Sequence, residues 1–257
     1  MTAILVTGGT GTLGRALVPE LRAAGHTVRT LSRHPPPQSA EPGTWAVGDL
    51  RHGVGIGQAV AGMQVIVHCA SASRGDEEAA RHLVSAAHAA GVGHVVFISI
   101  VGVDRVPLGY YRAKLAAERV ITGSGLGWTI LRSTQYHELI LRGCELLARP
   151  PVMLVPAGIS FQPVATQEVA SRLAALAAGP PSGRVANIGG PQIRDAAGLA
   201  AHYLHAAGRH RPIVAVRLPG RVFAACRAGG HLAPDQATGT ITFEDILTAR
   251  HHAGEGQ

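Results

Sequence analysis

The sequence predicts an α/β protein built on a doubly wound parallel sheet, with a smaller lobe toward the C-terminal end. Three observations carry the prediction. Apolar runs rich in β-branched residues alternate with helical stretches through the first half of the 257 residues. A glycine-rich turn stands between the first run and the first helical stretch. Aromatic residues make up only 4% of the chain, and Ala, Val and Leu supply most of the apolar mass, a composition that suits helices packed on a sheet.

Taken in order, buried strands are expected at residues 3–6, 27–31, 44–47, 65–69, 94–99 and 128–132. Helices are expected at 13–24, 76–90 and 110–122, where apolar-periodic stretches end on Gly25, Gly91 and Gly123, each a C-cap signal. Strand–helix–strand alternation implies right-handed crossovers and therefore parallel strands. After Arg132 the rhythm changes. Pro150-Pro151, Pro156, Pro180-Pro181, Pro191, Pro212 and Pro219 divide the chain into shorter elements, with helices near 166–178 and 196–208. Residues 1–132 are thus expected as a core and 133–257 as a lobe packed on the carboxyl edge of its sheet, the two forming one structural unit. There is no internal repeat, and Pro35-Pro36-Pro37 is the sole low-complexity stretch.

Composition narrows the function classes. Hydrophobic residues at 46% against 15% charged exclude a disordered chain. No apolar stretch approaches the roughly 20 residues that span a bilayer, and the first strand starts too early to leave room for a signal peptide. Cys69, Cys144 and Cys226 are odd in number, far apart and never in a Cys-x-x-Cys pair, which points to a reducing, cytoplasmic setting without disulfides. The 14 histidines, among them His210, His231, His251 and His252, form no metal-binding grouping, so no metal is expected. The net charge of +7 is spread evenly, with twelve basic against eight acidic residues up to Arg132 and eleven against eight beyond it. Neither nucleic acid nor a membrane is therefore an expected partner. Arg209-His210-Arg211, the one local density, reads as a solvated face.

The turn reads Thr7-Gly8-Gly9-Thr10-Gly11-Thr12-Leu13-Gly14. It follows a strand and opens a helix, the context in which glycines let the backbone approach a pyrophosphate and free helix amides donate to it. Two glycine readings overlap: Gly9, Gly11 and Gly14 fit the dinucleotide fingerprint, and Gly8, Gly11 and Gly14 a Gly-x-x-Gly-x-x-Gly variant. Gly8, Thr10, Gly11, Thr12, Leu13 and Gly14 are the expected cofactor contacts. The second strand ends Leu31-Ser32-Arg33 rather than on Asp or Glu, so Ser32 and Arg33 are expected to hold a 2′-phosphate and the cofactor is expected to be NADP. Asp49 and Leu50 close the third strand, where a carboxylate can accept from an adenine amino group. Ala70 and Ser71 lie past the fourth strand, where small residues leave room for the cofactor ribose.

Lys114 is the single lysine among 23 Lys+Arg residues, and it lies four positions after Tyr110. A chain that otherwise uses arginine keeps lysine where a compact ammonium of tunable pKa is needed. On a helix the two share a face, so the ammonium can lower the phenol pKa and help it transfer a proton. Tyr111, three residues from Lys114, is the alternative partner.

With the Thr-Gly-Gly-Thr-Gly-Thr-Leu-Gly turn, Ser99 at the end of the fifth strand and Tyr110-x-x-x-Lys114 on the next helix, the chain resembles the short-chain dehydrogenases/reductases. More narrowly it resembles their atypical, NmrA-like branch, through Val96-Phe97-Ile98-Ser99-Ile100-Val101-Gly102-Val103-Asp104, Tyr111-Arg112-Ala113-Lys114-Leu115-Ala116-Ala117-Glu118, Trp128-Thr129-Ile130-Leu131-Arg132 and Asn187-Ile188-Gly189-Gly190-Pro191. The resemblance implies an NADP-binding Rossmann core and a substrate lobe. It further implies that Tyr110 donates a proton to a substrate carbonyl, Ser99 hydrogen-bonds the carbonyl oxygen, and Lys114 holds the nicotinamide ribose. Gln135 and His137, leaving the sixth strand, are candidates to line the substrate pocket or to cap a helix start. The expected function is NADPH-dependent reduction of a carbonyl, quinone or conjugated small molecule by a monomer or homodimer. A redox-sensing regulator that binds NADP and a protein partner without turnover, or an isomerase or cyclase on the same fold, would use much of the same set.

Overall fold

The structure is a computed structural model. It describes every residue except Ser39, Ser73, Arg74, Gly256 and Gln257, and residues 251–255 by backbone alone. The chain divides into two units: residues 1–99, 108–132 and 167–186 form the first, and 100–107, 133–166 and 187–257 the second. The boundary after Arg132 expected from the proline pattern is therefore one of several crossings. The chain returns to the first unit at residues 167–186, where a short strand adds to the main sheet.

In the first unit, β1 (Ala3–Thr7), β2 (Thr27–Ser32), β3 (Trp45–Val47), β4 (Val65–His68), β5 (His94–Ile100) and β6 (Gly127–Ser133) follow the expected strands within one or two residues. They make a seven-stranded parallel sheet in the order β3-β2-β1-β4-β5-β6-β9, where β9 (Gly183–Arg184) is the returning strand. The Rossmann-type α/β fold is as expected. Between the strands run α1 (Thr12–Ala23), α2 (Ile56–Val60), α3 (Asp76–Ala89) and α4 (Gly109–Thr122); α2 is too short and too glycine-flanked for its periodicity to be read. Gly25 and Gly91 take positive φ at the ends of α1 and α3, but Gly123 has φ −86° and the left-handed turn after α4 falls on Gly125.

The sheet is buried on both faces, so its strands read as continuous apolar runs. Leu5, Leu31 and Ile66 pack against Ile56, Ala59 and Leu83 from α2 and α3. Val95, Phe97 and Ile130 pack against Ala80, Ala117 and Ile121 from α3 and α4.

The second unit gathers α5 (His137–Leu147), β7 (Met153–Pro156), β8 (Ser160–Phe161), β10 (Arg194–Asp195), α7 (Ala196–Ala206), β11 (Ile213–Val216), α8 (Arg221–Arg227) and α9 (Phe243–Glu255). Most of α6 (Thr166–Ala178) belongs to the first unit. β7 pairs with β11 in parallel and β8 with β10 antiparallel. Asp195 caps α7, its Oδ1 accepting from the Gly198 amide at 2.6 Å. His251 and His252, read from the sequence as tail residues, lie on the last turns of α9; their side chains are outside the described residues.

The Asn187-Ile188-Gly189-Gly190-Pro191 motif has a packing reason in this unit. A Cβ on Gly190 would stand 1.6 Å from the Pro163 carbonyl oxygen, while the Gly190 carbonyl accepts from Gln162 Nε2 at 3.0 Å. Gly190→Ala is expected to lower stability by several kcal/mol, on the order of the largest single-residue effects. Denaturant unfolding checks this; a loss under about 1 kcal/mol would mean that the backbone yields.

Candidate active site

The ends of β1 and β4 meet where the strand order reverses, the position at which open α/β sheets bind nucleotides. Beyond β1 the chain passes through Gly8 in the left-handed region, with φ 69°. A Cβ there would lie 2.6 Å from the Ala70 amide nitrogen, and one on Gly14 would lie 2.3 Å from the Gly8 oxygen. The Gly11 amide donates to the Gly8 carbonyl at 2.9 Å and closes the turn. Gly9 packs against Thr30, so both glycine readings of the motif have a steric basis. Gly11 differs: a Cβ would meet only the Gly8 oxygen, at 3.2 Å. Gly11 is also the N-cap of α1 with no side-chain cap, so the amides of Thr12, Leu13 and Gly14 stay free for an anion. Thr10, Gly11 and Thr12 are exposed, and Leu13 is buried beneath them.

Ser32 and Arg33 follow at the end of β2. Ser32 Oγ accepts from the His34 amide at 3.1 Å. Arg33 is exposed and pairs with no acid among the described residues. Asp49, expected as an adenine acceptor, caps its own turn. Its Oδ1 accepts from the Arg51 and His52 amides at 2.8 and 3.3 Å, and its Oδ2 meets His52 Nδ1 at 3.0 Å. The His52 hydrogen bond, more than the burial that opposes it, holds this carboxyl below its ordinary range. The neighbouring Leu50 carbonyl accepts from His82 Nδ1 at 2.8 Å.

Lys114 lies on the inward face of α4, only 2% exposed. Its Nζ pairs with Asp76 Oδ2 at 3.2 Å, donates to the Ala70 carbonyl at 3.4 Å and stands 4.8 Å above the Phe97 ring. Burial pulls its pKa down, and the Asp76 charge partly restores it. Asp76 also accepts from the Ala72 amide at 2.8 Å and from Ser71 Oγ at 3.4 Å. Ser71 Oγ lies 2.6 Å from the Tyr110 hydroxyl. Tyr110, Ser71, Asp76 and Lys114 thus form one hydrogen-bonded chain. Tyr110, rather than Tyr111, carries the hydroxyl in it; the Tyr111 ring sits 6.3 Å away, tilted by 60°.

One expectation, that Lys114 lowers the phenol, finds no support in the surroundings of Tyr110. Burial raises the Tyr110 pKa above 10.0, the Asp76 charge adds to the rise, and only the Ser71 hydrogen bond opposes it. Asp76 answers the ammonium that was expected to act on the phenol. Nor is Ser99 the hydroxyl in the chain: its Oγ is buried at the end of β5 with no hydrogen-bond partner.

Three residues that shape the site were missed in the sequence. Asp76 is one of three acids in the first turn of α3 and entered the sequence reading only as the first residue of that helix. Thr7 Oγ1 shares a 2.6 Å hydrogen bond with His68 Nδ1 and accepts from the Ala70 amide, which fixes the backbone that Lys114 reaches. His68 stacks on Phe97, and burial, with the Lys114 charge adding, lowers its pKa to about 3, so it stays neutral. Burial pushes the next residue, Cys69, up to about 12, which keeps it a thiol.

Gln135 and His137, candidates for a substrate pocket, are spent inside the second unit. Gln135 Nε2 donates to the His231 carbonyl at 3.0 Å, and its Oε1 accepts from the Gln162 amide at 3.1 Å. His137 Nε2 donates to the Ile241 carbonyl at 3.1 Å, with its ring stacked on Phe243. Their polar groups hold loops together, because a buried amide or imidazole must find partners. Among the described residues no group of His, Cys, Asp or Glu could hold a metal, and no helix is long and apolar enough to cross a membrane.

A Rossmann sheet with a phosphate-type turn at its switch point defines a dinucleotide-binding protein. Residues 8–143, more than half of the chain, match the NAD(P)H-binding family, and the chain belongs to it. Fold and family agree with the resemblance to atypical, NmrA-like short-chain dehydrogenases/reductases. A stretch of 69 residues, 26% of the chain, is 45% identical to a 3-beta-hydroxysteroid dehydrogenase from Mycolicibacterium neoaurum and covers 19% of it. Quinone oxidoreductase 2 of Escherichia coli is 26% identical over 161 residues, 60% of this chain and 56% of that one. The chain spans about a fifth or less of the first curated relatives it matches. The solved NADPH-dependent quinone oxidoreductase of Escherichia coli, complexed with NADPH, superimposes with a TM-score of 0.82 at 20% identity, over 96% of this chain and 99% of that one. A nucleoside-diphosphate-sugar epimerase from Staphylococcus aureus does so with 0.77 at 18%, over 95% and 99%. These likenesses show the fold.

Proposed function

We propose that the protein is an NADPH-dependent oxidoreductase that reduces a carbonyl, quinone or conjugated small molecule. The observation that carries the reading is the Tyr110 hydroxyl, kept as a neutral phenol and joined through Ser71 to a buried Asp76–Lys114 pair. A phenol that stays protonated at neutral pH is placed to give its proton to a developing oxyanion. Beside it opens a concavity of about 400 Å³, lined by Tyr110, Gly109, Arg112 and Ala113 and by Gly75, Glu77 and Glu78.

The residues present fit a dinucleotide. The uncapped start of α1 and the bare Cα of Gly11 suit a pyrophosphate, and the exposed guanidinium of Arg33 suits a 2′-phosphate. When bound, NADPH supplies a hydride to the electrophilic carbon of the substrate. Tyr110 Oη gives its proton to the oxygen on which negative charge develops, so that hydride and proton together complete a two-electron reduction. Ser71, exposed to solvent, returns a proton to the phenolate and recovers its own from water. Lys114, held by Asp76 and the Ala70 carbonyl, anchors the Asp76 end of this hydrogen-bonded chain.

Oxidation of NADPH and NADH, measured with a panel of quinones, aldehydes and enones, tests the reading. Turnover is expected with NADPH. In Arg33→Ala the preference for NADPH over NADH is expected to fall by about tenfold or more, the value of a charged hydrogen bond. Unchanged selectivity would remove the 2′-phosphate assignment, and tight NADP binding without any turnover would favour a cofactor-sensing regulator.

A further inference from the structure

The second unit brings together four side chains that the nucleotide site does not use. Arg149 follows α5, and Arg209, His210 and Arg211 follow α7. The two segments enter the parallel strands β7 and β11, and the Met153 amide donates to the Pro212 carbonyl at 2.9 Å, which ties them side by side. Together the four side chains line a concavity of about 540 Å³, with no acidic and no apolar residue in its wall.

Four other arginines of this unit find acceptors, while Arg142, Arg217 and Arg221 find none among the described residues. Arg194 pairs with Glu244, Arg250 with Glu145, and Arg105 and Arg227 donate to the carbonyls of Leu232 and Leu218. Arg149, Arg209 and Arg211 have no side-chain partner among the described residues. The C-terminal ends of α5 and α7 supply some negative potential, but each helix end carries only roughly half a charge, against three guanidinium groups. The backbone beneath is set in place by Pro150, Pro151 and Pro212 and by the left-handed Gly208, with φ 60°.

We propose that this concavity binds a compact polyphosphate anion. Guanidinium forks match phosphate oxygens in pairs, and the space admits more than one phosphate group. Apart from the His210 ring, no aromatic or aliphatic side chain is present for a base or an acyl chain to pack on, so charge dominates recognition of the ligand.

Titration calorimetry of the full chain with inorganic phosphate, pyrophosphate and tripolyphosphate tests the proposal. With the nucleotide site saturated by NADP, pyrophosphate and tripolyphosphate are expected to bind one per chain and more tightly than phosphate, with ATP no tighter than tripolyphosphate. R149S/R211S is expected to weaken tripolyphosphate binding about a hundredfold, roughly tenfold for each guanidinium, with the thermal midpoint unchanged. R22S/R172S removes the same charge from exposed positions of the first unit and is expected to change affinity less than about threefold. The proposal is overturned if the wild type does not bind, if both double variants lose affinity equally, or if ATP is preferred more than tenfold.

Discussion

Tyr110→Phe is expected to cut turnover of NADPH-dependent reduction by about 10²- to 10⁴-fold, the usual worth of a positioned general acid, while NADPH affinity changes little. The phenylalanine ring keeps the half-buried aromatic packing of Tyr110 and removes only the hydroxyl that Ser71 meets at 2.6 Å. Stopped-flow measurement of hydride transfer separates the two quantities. The pH profile adds a sign. The rate needs the protonated phenol, and burial raises its pKa above the ordinary 10.0, so activity should hold through neutral and mildly basic pH and fall only beyond that value. A basic limb near pH 8 (about two units lower) would mean that the charge of Lys114 reaches the phenol after all. Full activity in the Phe variant would sink the assignment of Tyr110 as the acid.

Asp76→Ala is expected to destabilise the fold by about 3–5 kcal/mol, the cost of leaving one member of a buried ion pair alone. Lys114 and Asp76 side chains are only 3% and 5% exposed, so water cannot take the place of the lost carboxylate. The Ala72 amide and Ser71 hydroxyl lose their acceptor in the same change. The double variant D76L/K114M removes both charges and is expected to recover most of the stability, yet to remain inactive. Urea unfolding of the three proteins decides the matter. If Asp76→Ala lies within about 1 kcal/mol of wild type, the pair does not hold the site.

The local half of this site was legible because it is written at short spacing. The strand–turn–helix at Gly8 to Gly14 and the Tyr110–Lys114 spacing each depend on neighbours a few residues apart, where steric rules and helical period act directly. The one lysine in an arginine-rich chain was a compositional signal, and the structure places it in the interior. The partners were not legible. Asp76 sits beside Glu77 and Glu78, and no local rule says which of three adjacent acids turns inward. Ser71 lies just past β4 and Ser99 near the end of β5 in the same sheet, and the hydroxyl that meets Tyr110 is chosen by how α4 lies on the sheet. Gln135 and His137 left β6 looking like pocket residues, because the carbonyls that take up their donors belong to His231 and Ile241, about a hundred residues away.

By itself the sequence determined the Rossmann sheet, the glycine turn at its switch point, the dinucleotide-binding class and the two residues Tyr110 and Lys114 on one helix face. Tertiary structure alone decided that the ammonium is answered by Asp76 and that burial, with the Asp76 charge adding, raises the phenol pKa. It likewise decided that residues 167–186 return to the first unit and that Arg149 joins Arg209, His210 and Arg211. The physical reason is common to all of these. Backbone geometry and hydrophobic period are properties of a few consecutive residues, whereas the protonation state of a buried group is set by whichever distant charge the packing brings within a few ångströms of it.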